Sequence, residues 1–453
     1  MLEQVTMALY SLLLACVLAL GSPYWLWRAA RGGAGWTASL AARLGRVPHE
    51  LLAAVAGRQV VWVHAVSVGE VLAAAQLVAR LEQALGDGWS IVVSTTTPTG
   101  QALARQRFAA NKDSGSANAG RVFYYPLDFA WAVRAYLRVL NPKMLVLMES
   151  ELWPRMLVEC GRAGIPVAVA NARVSDRSFA RGMRVWGVWS SLLRRVSLFL
   201  AQSEEDARRL VAMGADDRAV RVVGNLKYDA AEPARSEIVQ RLDMLRGGKR
   251  IVIAGSTLEG EELMLLSAWA KAQQTLPNVL LVIAPRHPQR FQDIAKLIGA
   301  NGYATVLASH LPGVQGEIGG GSVVLLNTIG DLAAAYQIAD IAFVGGSLVP
   351  RGGHNPLEPA RFGVPVLIGS SYENFRDIVG KMQEADGILI VSGGEELQAA
   401  IVKLLQDEAV AHAIGERGRQ VFEQQQGATA RTVAALVELM NVRVTITGSG
   451  VVQ

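Results

Sequence analysis

The residues richest in chemistry lie between Gly345 and Glu358: Gly345-Gly346-Ser347, then Arg351-Gly352-Gly353-His354-Asn355-Pro356-Leu357-Glu358. They follow a mostly apolar run, Ile338 to Val344, that reads as a buried parallel strand. Asn355 is a favoured helix N-cap, Pro356 suits the first helical position and Glu358 falls at the third, so a helix start is expected here. A glycine-rich loop between strand and helix aims backbone N–H groups and the positive helix end at one point, which suits a phosphate. Glu358, one turn inside, can accept both hydroxyls of a ribose. The same residues also read as plain turns and a capping glutamate, so the loop alone does not define a nucleotide site.

A second constellation follows Val63: His64-Ala65-Val66-Ser67-Val68-Gly69-Glu70. This is a strand end, a tight loop and a helix start. It puts Glu70 where it can take a proton from an attacking hydroxyl, with Ser67 and Gly69 beside the same substrate. The helix dipole favours the ionised form of Glu70 and so lowers its basicity. The plainer alternative is dipole compensation by Glu70, an N-cap at Ser67 and a hydrogen-bonded core histidine at His64. Glu149-Ser150-Glu151 follows another apolar strand; one of its two acids can hold a substrate hydroxyl or tune Glu70. Arg173 comes after the next strand, where it can meet an anion.

Four further strand ends add polar groups. Ser256, in Ala254-Gly255-Ser256-Thr257, is a phosphate cradle or a capped turn. Arg286 and His287 follow Val282-Ile283-Ala284, and a fixed Arg fork suits phosphate or carboxylate. Ile329 and Gly330, in Asn327-Thr328-Ile329-Gly330-Asp331, are placed to line a nucleobase pocket. No G-x-G-x-x-G follows the first strand of either half, which disfavours a dinucleotide oxidoreductase. There is no P-loop and no D-x-D, so neither metal nor other cofactor is expected.

Alternating elements must position these groups. Short strands are expected at 60–63, 91–94, 122–126, 145–148, 167–170, 198–201 and 220–223, with helical patterns between them. A polar small-residue loop is expected at 109–121. After a polar boundary near Gly224 to Glu237, a second series starts at Arg250 and ends in a helix-rich stretch, roughly Ala399 to Met440. This predicts an α/β protein with two doubly wound parallel-sheet domains facing each other across a cleft, where ligands sit beyond the strand ends. The expected division is a membrane anchor at 1–30, an N-terminal domain at 31–228, a C-terminal domain at 229–440 and a loose tail at 441–453.

Length, 453 residues, allows two or three domains, and 51% hydrophobic residues describe a well-packed chain rather than a disordered one. The formal charge of +5 suits an anionic substrate or membrane surface. With no zinc knuckle, RNA-binding signature or lysine-rich run, nucleic acid is not an expected partner. Two cysteines, Cys16 and Cys160, give no disulfide framework and point to a reducing compartment. Gln4 to Trp27 is uncharged and ends in aromatics, which is long enough for one membrane span. Arg28, Arg31, Arg43 and Arg46 follow it, so the body is expected on the cytoplasmic side, with these arginines near anionic lipid. Gly21 and Pro23 leave open a helix that dips in without crossing.

In order along the chain, HAVSVGE (64–70), STTTPTG (94–100), ESELWP (149–154), NARVSDRS (171–178), QSEEDARRL (202–210), PRHPQRF (285–291) and FVGGSLVPRGGHNPLEPA (343–360) resemble the 3-deoxy-D-manno-octulosonic acid (Kdo) transferases of lipopolysaccharide assembly. The resemblance covers nearly the whole chain. It implies a GT-B fold, CMP-Kdo as donor, a lipid A precursor (lipid IVA) as acceptor and inverting transfer at the cytoplasmic face of the inner membrane. It places Glu70 as general base and Glu149 as the second functional acid, the choice between Glu149 and Glu151 staying open. It puts Arg286, Gly330, Asn355 and Glu358 around CMP, with Glu358 on the ribose. Two other readings remain: another membrane-associated GT-B nucleotide-sugar transferase, and a non-catalytic nucleotide-binding membrane protein on the same scaffold.

Overall fold

The computed structural model describes residues 2–32, 34–108, 119–229, 232–276 and 278–448, with side chains at 2–5, 23–32, 34–38, 119 and 442–448 excepted. Most of the expected loop at 109–121, and residues 449–453 of the expected tail, therefore lie outside the described residues. The chain forms two compact units. One joins Met1–Ala230 to Gly427–Gln453, and the other is Ala231–Gln426.

The first unit holds seven parallel strands: β1 (Gln59–His64), β2 (Trp89–Thr95), β3 (Val122–Tyr124), β4 (Met144–Met148), β5 (Val167–Ala172), β6 (Leu198–Ala201) and β7 (Val220–Val222). Their order is β3-β2-β1-β4-β5-β6-β7. The central strands are short Val/Leu/Ala-rich runs buried on both faces, as a doubly covered parallel sheet requires, while the edge strand β7 is largely exposed. The direction of strand addition reverses between β1 and β4, where His64 pairs with Leu147. That switch point opens a crevice beyond the two strand ends.

The second unit repeats the plan with β8 (Arg250–Thr257), β9 (Val279–Pro285), β10 (Ala304–Leu307), β11 (Ser322–Leu325), β12 (Ile341–Val344), β13 (Val366–Gly369) and β14 (Leu389–Val391). The order is β10-β11-β9-β8-β12-β13-β14, and the reversal falls between β8 and β12, where Gly255 pairs with Val344. Backbones converge tightly there. A Cβ at Gly255 would lie 1.9 Å from the Tyr336 hydroxyl, and one at Gly345 would lie 2.6 Å from the Ser256 carbonyl.

One sequence expectation needs correction, and a second finds no support among the described residues. The stretch to residue 440 was expected in the second domain, but helix Ala428–Gly448 belongs to the first unit and continues into the expected tail as far as Gly448. Its Ala428, Ala435, Leu436 and Met440 join Leu77, Val78 and Leu81 of helix Val68–Leu85 in one apolar cluster. Its start is fixed by Asp229, whose carboxylate accepts the Gly427 N–H at 2.7 Å and the Thr429 N–H.

The second concerns the anchor. The expected span falls in helix Leu2–Gly32, whose side chains are described only from Thr6 to Ser22. Among the described residues no helix is long and apolar enough to cross a membrane. Arg28 and Arg31 lie outside the described side chains. Arg43 is engaged internally: its guanidinium donates to the Thr96 carbonyl and sits 4.5 Å from the Tyr124 ring centroid. Arg46 is exposed.

Candidate functional site

In the first unit, Ser67 caps helix Val68–Leu85, whose first turn carries the exposed Gly69 and the buried Glu70. The Glu70 carboxylate accepts the Val66 N–H at 2.8 Å and the Ser67 hydroxyl at 2.9 Å. Both bonds favour the ionised form. Burial opposes them and is the larger effect; the nearby charges of Glu149 and Glu151 add to it, and the carboxyl ends above the usual glutamate range. The expectation that the helix dipole leaves Glu70 weakly basic is therefore corrected by desolvation.

Glu149 and Glu151 leave the end of β4, across the switch point from Glu70. Glu149 has φ 57°, a left-handed conformation costly for a glutamate, held by its N–H donating to the Ala170 carbonyl at 2.9 Å. Its carboxylate pairs with Lys227 Nζ at 2.8 Å. Burial raises the Glu151 carboxyl, and the Glu149 charge raises it further. Three carboxylates thus gather at one strand-end crevice, with one lysine against them.

Lys227 is held by a chain of amides. Its N–H donates to Asn225 Oδ1 at 3.0 Å, Asn225 Nδ2 to Gln202 Oε1 at 3.0 Å, and Gln202 Nε2 to the Asn171 carbonyl at 2.9 Å. Nothing local in Gly224-Asn225-Leu226-Lys227 marks the lysine, because its partner lies 78 residues away. Arg173 is half-buried, and its charge is among those that favour the ionised carboxyl of Asp206. His64 is the core histidine of the plainer alternative. It is fully buried, stacked on Tyr125 at 3.8 Å, with Nδ1 3.1 Å from the Ser94 carbonyl, and burial pushes it down to about 3.

In the second unit, the glycine-rich loop differs from expectation. Glu261 is fully buried, and its carboxylate accepts the N–H groups of Gly346 (2.7 Å), Ser347 (2.9 Å) and Leu348 (2.9 Å), and that of Leu258 (2.8 Å). The Gly352 N–H donates to Ser371 Oγ and the Gly353 N–H to the Gly346 carbonyl. These amides hold an internal anion and the loop itself, so they are not a phosphate cradle. The helix after the loop is only Leu357–Ala360, with Asn355 Oδ1 accepting the Leu357 N–H at 3.1 Å. Pro359 inside this turn has no N–H to extend a helical ladder.

What faces outward at this switch point is a ring of side chains. Arg286 and His287 are exposed, and the Arg286 N–H is fixed to the Thr257 carbonyl at 3.0 Å. His354 is pushed down to about 4 by burial, then by the Arg286 and His287 charges. Glu358 is reachable by solvent, yet it sits in a dense surround that desolvates its carboxyl and raises it against a hydrogen bond from Asn355 and the charges of Arg286 and Arg361. Ser256, with φ 57°, enters the same switch point from β8. Ile329, 83% exposed, and Gly330 lie on the surface of their loop. Besides Lys227, sequence reasoning missed Glu261 and the Arg290–Glu262 pair, bidentate at 2.7 and 3.0 Å. Adjacent acids at a helix start, Glu261-Glu262, were the available signal.

Comparison with known proteins matches both units. Residues 38–230 fit the family model described as 3-deoxy-D-manno-octulosonic-acid transferase (kdotransferase), and residues 318–421 fit glycosyl transferases group 1. The 3-deoxy-D-manno-octulosonic acid transferase of Haemophilus influenzae is 34% identical over 83% of this chain and 86% of its own. That of Bordetella pertussis is 34% identical over 91% of this chain and 94% of its own. Among solved structures, UDP-GlcNAc 2-epimerase from Neisseria meningitidis aligns with a TM-score of 0.58 at 13% identity, covering 84% of this chain and all of that one. At that identity the likeness shows the fold alone. Shared sequence across this length makes the chain a glycosyltransferase, and it belongs to the 3-deoxy-D-manno-octulosonic acid transferase family.

Proposed function

We propose that the protein transfers Kdo from CMP-Kdo to a lipid A precursor, with inversion and with Glu70 as general base. The observation that carries this is the buried Glu70 carboxylate, oriented by Val66 and Ser67 at a switch point and raised by burial. Glu70 takes the proton of the acceptor hydroxyl. The freed oxygen attacks the anomeric carbon of Kdo, and the bond from that carbon to the phosphate oxygen breaks, its electrons leaving with CMP. Glu149 positions the acceptor and, with Glu151 and Lys227, sets the field around Glu70. Ser67, Gly69 and Arg173 border the acceptor.

The donor is assigned to the second unit, in a GT-B arrangement. Arg286 meets the cytidylate phosphate as its negative charge develops, with Ser256 and His287 beside it. Glu358, oriented by Asn355, accepts the ribose hydroxyls, and Ile329 and Gly330 border the base. The reading includes association with the cytoplasmic face of the inner membrane, where such an acceptor resides.

The test supplies a CMP-Kdo-generating system and a tetraacylated lipid A precursor and reads products by mass spectrometry. Added Kdo establishes donor and acceptor together. No product with intact CMP binding would move the assignment to another acceptor or sugar, and no CMP binding would overturn it. Glu70→Gln is expected to bind CMP normally and lose transfer by roughly 10²–10⁴-fold. Normal turnover of that variant would remove Glu70 from the role of base.

A further inference from the structure

Helix Leu2–Gly32 carries no charged residue between Glu3 and Arg28. Besides the small Ala8, Ala15, Cys16 and Ala19, its exposed side chains are large and apolar: Leu9 61%, Leu12 60%, Leu13 65%, Val17 58% and Leu20 84% exposed. Their spacing of three, four or seven puts them on one helix face.

The opposite face is docked on the first unit by polar contacts near its N-terminal end. Arg155 Nη2 donates to the Met7 carbonyl at 3.0 Å and to Ser11 Oγ at 3.0 Å. Tyr10 hydrogen-bonds the carboxyl of Asp128, which is 1% exposed and also accepts the Arg155 and Met156 N–H groups at 2.8 Å each. Met7 itself is buried.

This placement conflicts with a crossing helix. Were Gln4 to Trp27 to span, with the body following its C-terminal end, Ser11 would sit roughly 24 Å from Trp27, most of the way across the hydrocarbon. Asp128 and Arg155 would have to follow it there, and charged groups are strongly disfavoured at that depth. The contacts are satisfied only if the helix runs along the body.

A cationic surface adjoins the docking point. Trp131, three positions after Asp128, is 57% exposed and stacked on Phe129 at 4.4 Å. Arg134 and Arg138 follow it at helical spacing on the outer face of helix Ala130–Leu140; Arg134 is paired with Glu159 at 2.7 Å, which leaves Arg138 as the cation of this face. Trp at headgroup level and Arg toward phosphate is the composition of an interfacial surface.

We propose that helix Leu2–Gly32 is an in-plane membrane element. It lies along the first unit, sinks Leu9, Leu12, Leu13, Val17 and Leu20 into one leaflet and leaves the N-terminus on the same side of the membrane as the body. Trp131 and Arg138 complete the contact with anionic headgroups. This deepens the membrane association of the proposed function, and its test does not read sugar transfer, so the two can fail separately.

The test uses the full chain with an epitope appended before Met1, in sealed inverted inner-membrane vesicles. Protease added outside is expected to remove the epitope and cut the body alike. An epitope protected while the body is cut would overturn the proposal in favour of a span. In parallel, purified protein is partitioned onto phosphatidylethanolamine–phosphatidylglycerol vesicles. Leu12→Ser/Leu13→Ser/Val17→Ser is expected to lower binding at least tenfold without changing oligomeric state. Arg138→Gln is expected to lower it severalfold on these vesicles and not on neutral phosphatidylcholine. Unchanged vesicle binding by the triple variant, with loss of a dimer instead, would make the apolar face a contact between copies and overturn the lipid assignment.

Discussion

At the scale of single residues, Lys227 deserves a test beside Glu70. Its ammonium faces Glu149, and Glu149 in turn raises Glu70 and Glu151. Removing the lysine leaves more uncompensated negative charge near Glu70, which favours the protonated form, the one that cannot serve as the proposed base. A base raised above its usual range is lost as pH falls through that raised value, so the acidic limb of kcat/KM starts from above the ordinary glutamate range. Lys227→Met is expected to move this limb to higher pH. The loss is roughly threefold or more near the limb and fades as pH rises, while Lys227→Arg stays close to the parent. A uniform loss at every pH would mean that the lysine acts on binding or folding instead. The glutamate at 70 could be picked out from its strand–loop–helix setting. Its basicity could not, because desolvation depends on what the fold packs around it.

At the scale of elements, the loop Gly345–Gly353 is held by one buried carboxylate. Glu261→Ala leaves four N–H groups without their acceptor and is expected to destabilise the second unit by roughly 3 kcal/mol. It should also weaken CMP binding, because the loop carries His354 and leads into Glu358. Calorimetry and CMP titration check both; an unchanged Tm would show that the loop keeps its shape unaided. Most strands were legible as apolar runs bounded by turns. β10 was not, since Ala304–Leu307 is four residues long, lies at the sheet edge and is only partly buried. The glycine loop was read correctly as a loop between a strand and a helix start, but the helix is a single short turn and the loop amides were assigned to the wrong anion. The acceptor lies 85 residues earlier in the chain, beyond the reach of local pattern. The apolar N-terminal helix was legible as apolar, whereas its docking through Tyr10 and Ser11 depends on Asp128 and Arg155, far along the sequence.

At the scale of the whole molecule, the first unit is built from both ends of the chain. Helix Ala428–Gly448 fills a core shared with helix Val68–Leu85, and Arg221 pairs with Glu438 at 2.6 Å. The Arg221 pair is exposed and contributes little, whereas the apolar contact is what the unit cannot lose. A fragment of residues 1–230 is expected to aggregate, and co-expression with residues 427–453 to recover soluble complex. A stable, monomeric fragment alone would show that the last helix is dispensable. The two-sheet plan was visible in the alternation of strand and helix patterns. The return of the chain was not, because a terminal amphipathic helix carries no mark of which core it will cover.

That return also sets an order of events at the ribosome. Everything the second unit needs, Ala231–Gln426, has been synthesised before helix Ala428–Gly448 emerges. The second unit can therefore close during translation, while the first waits with Leu77, Val78 and Leu81 uncovered. A message cut short anywhere before that helix yields a chain whose first unit never matures. The arrangement makes synthesis of that helix a condition for completing the core beneath the Glu70 cluster.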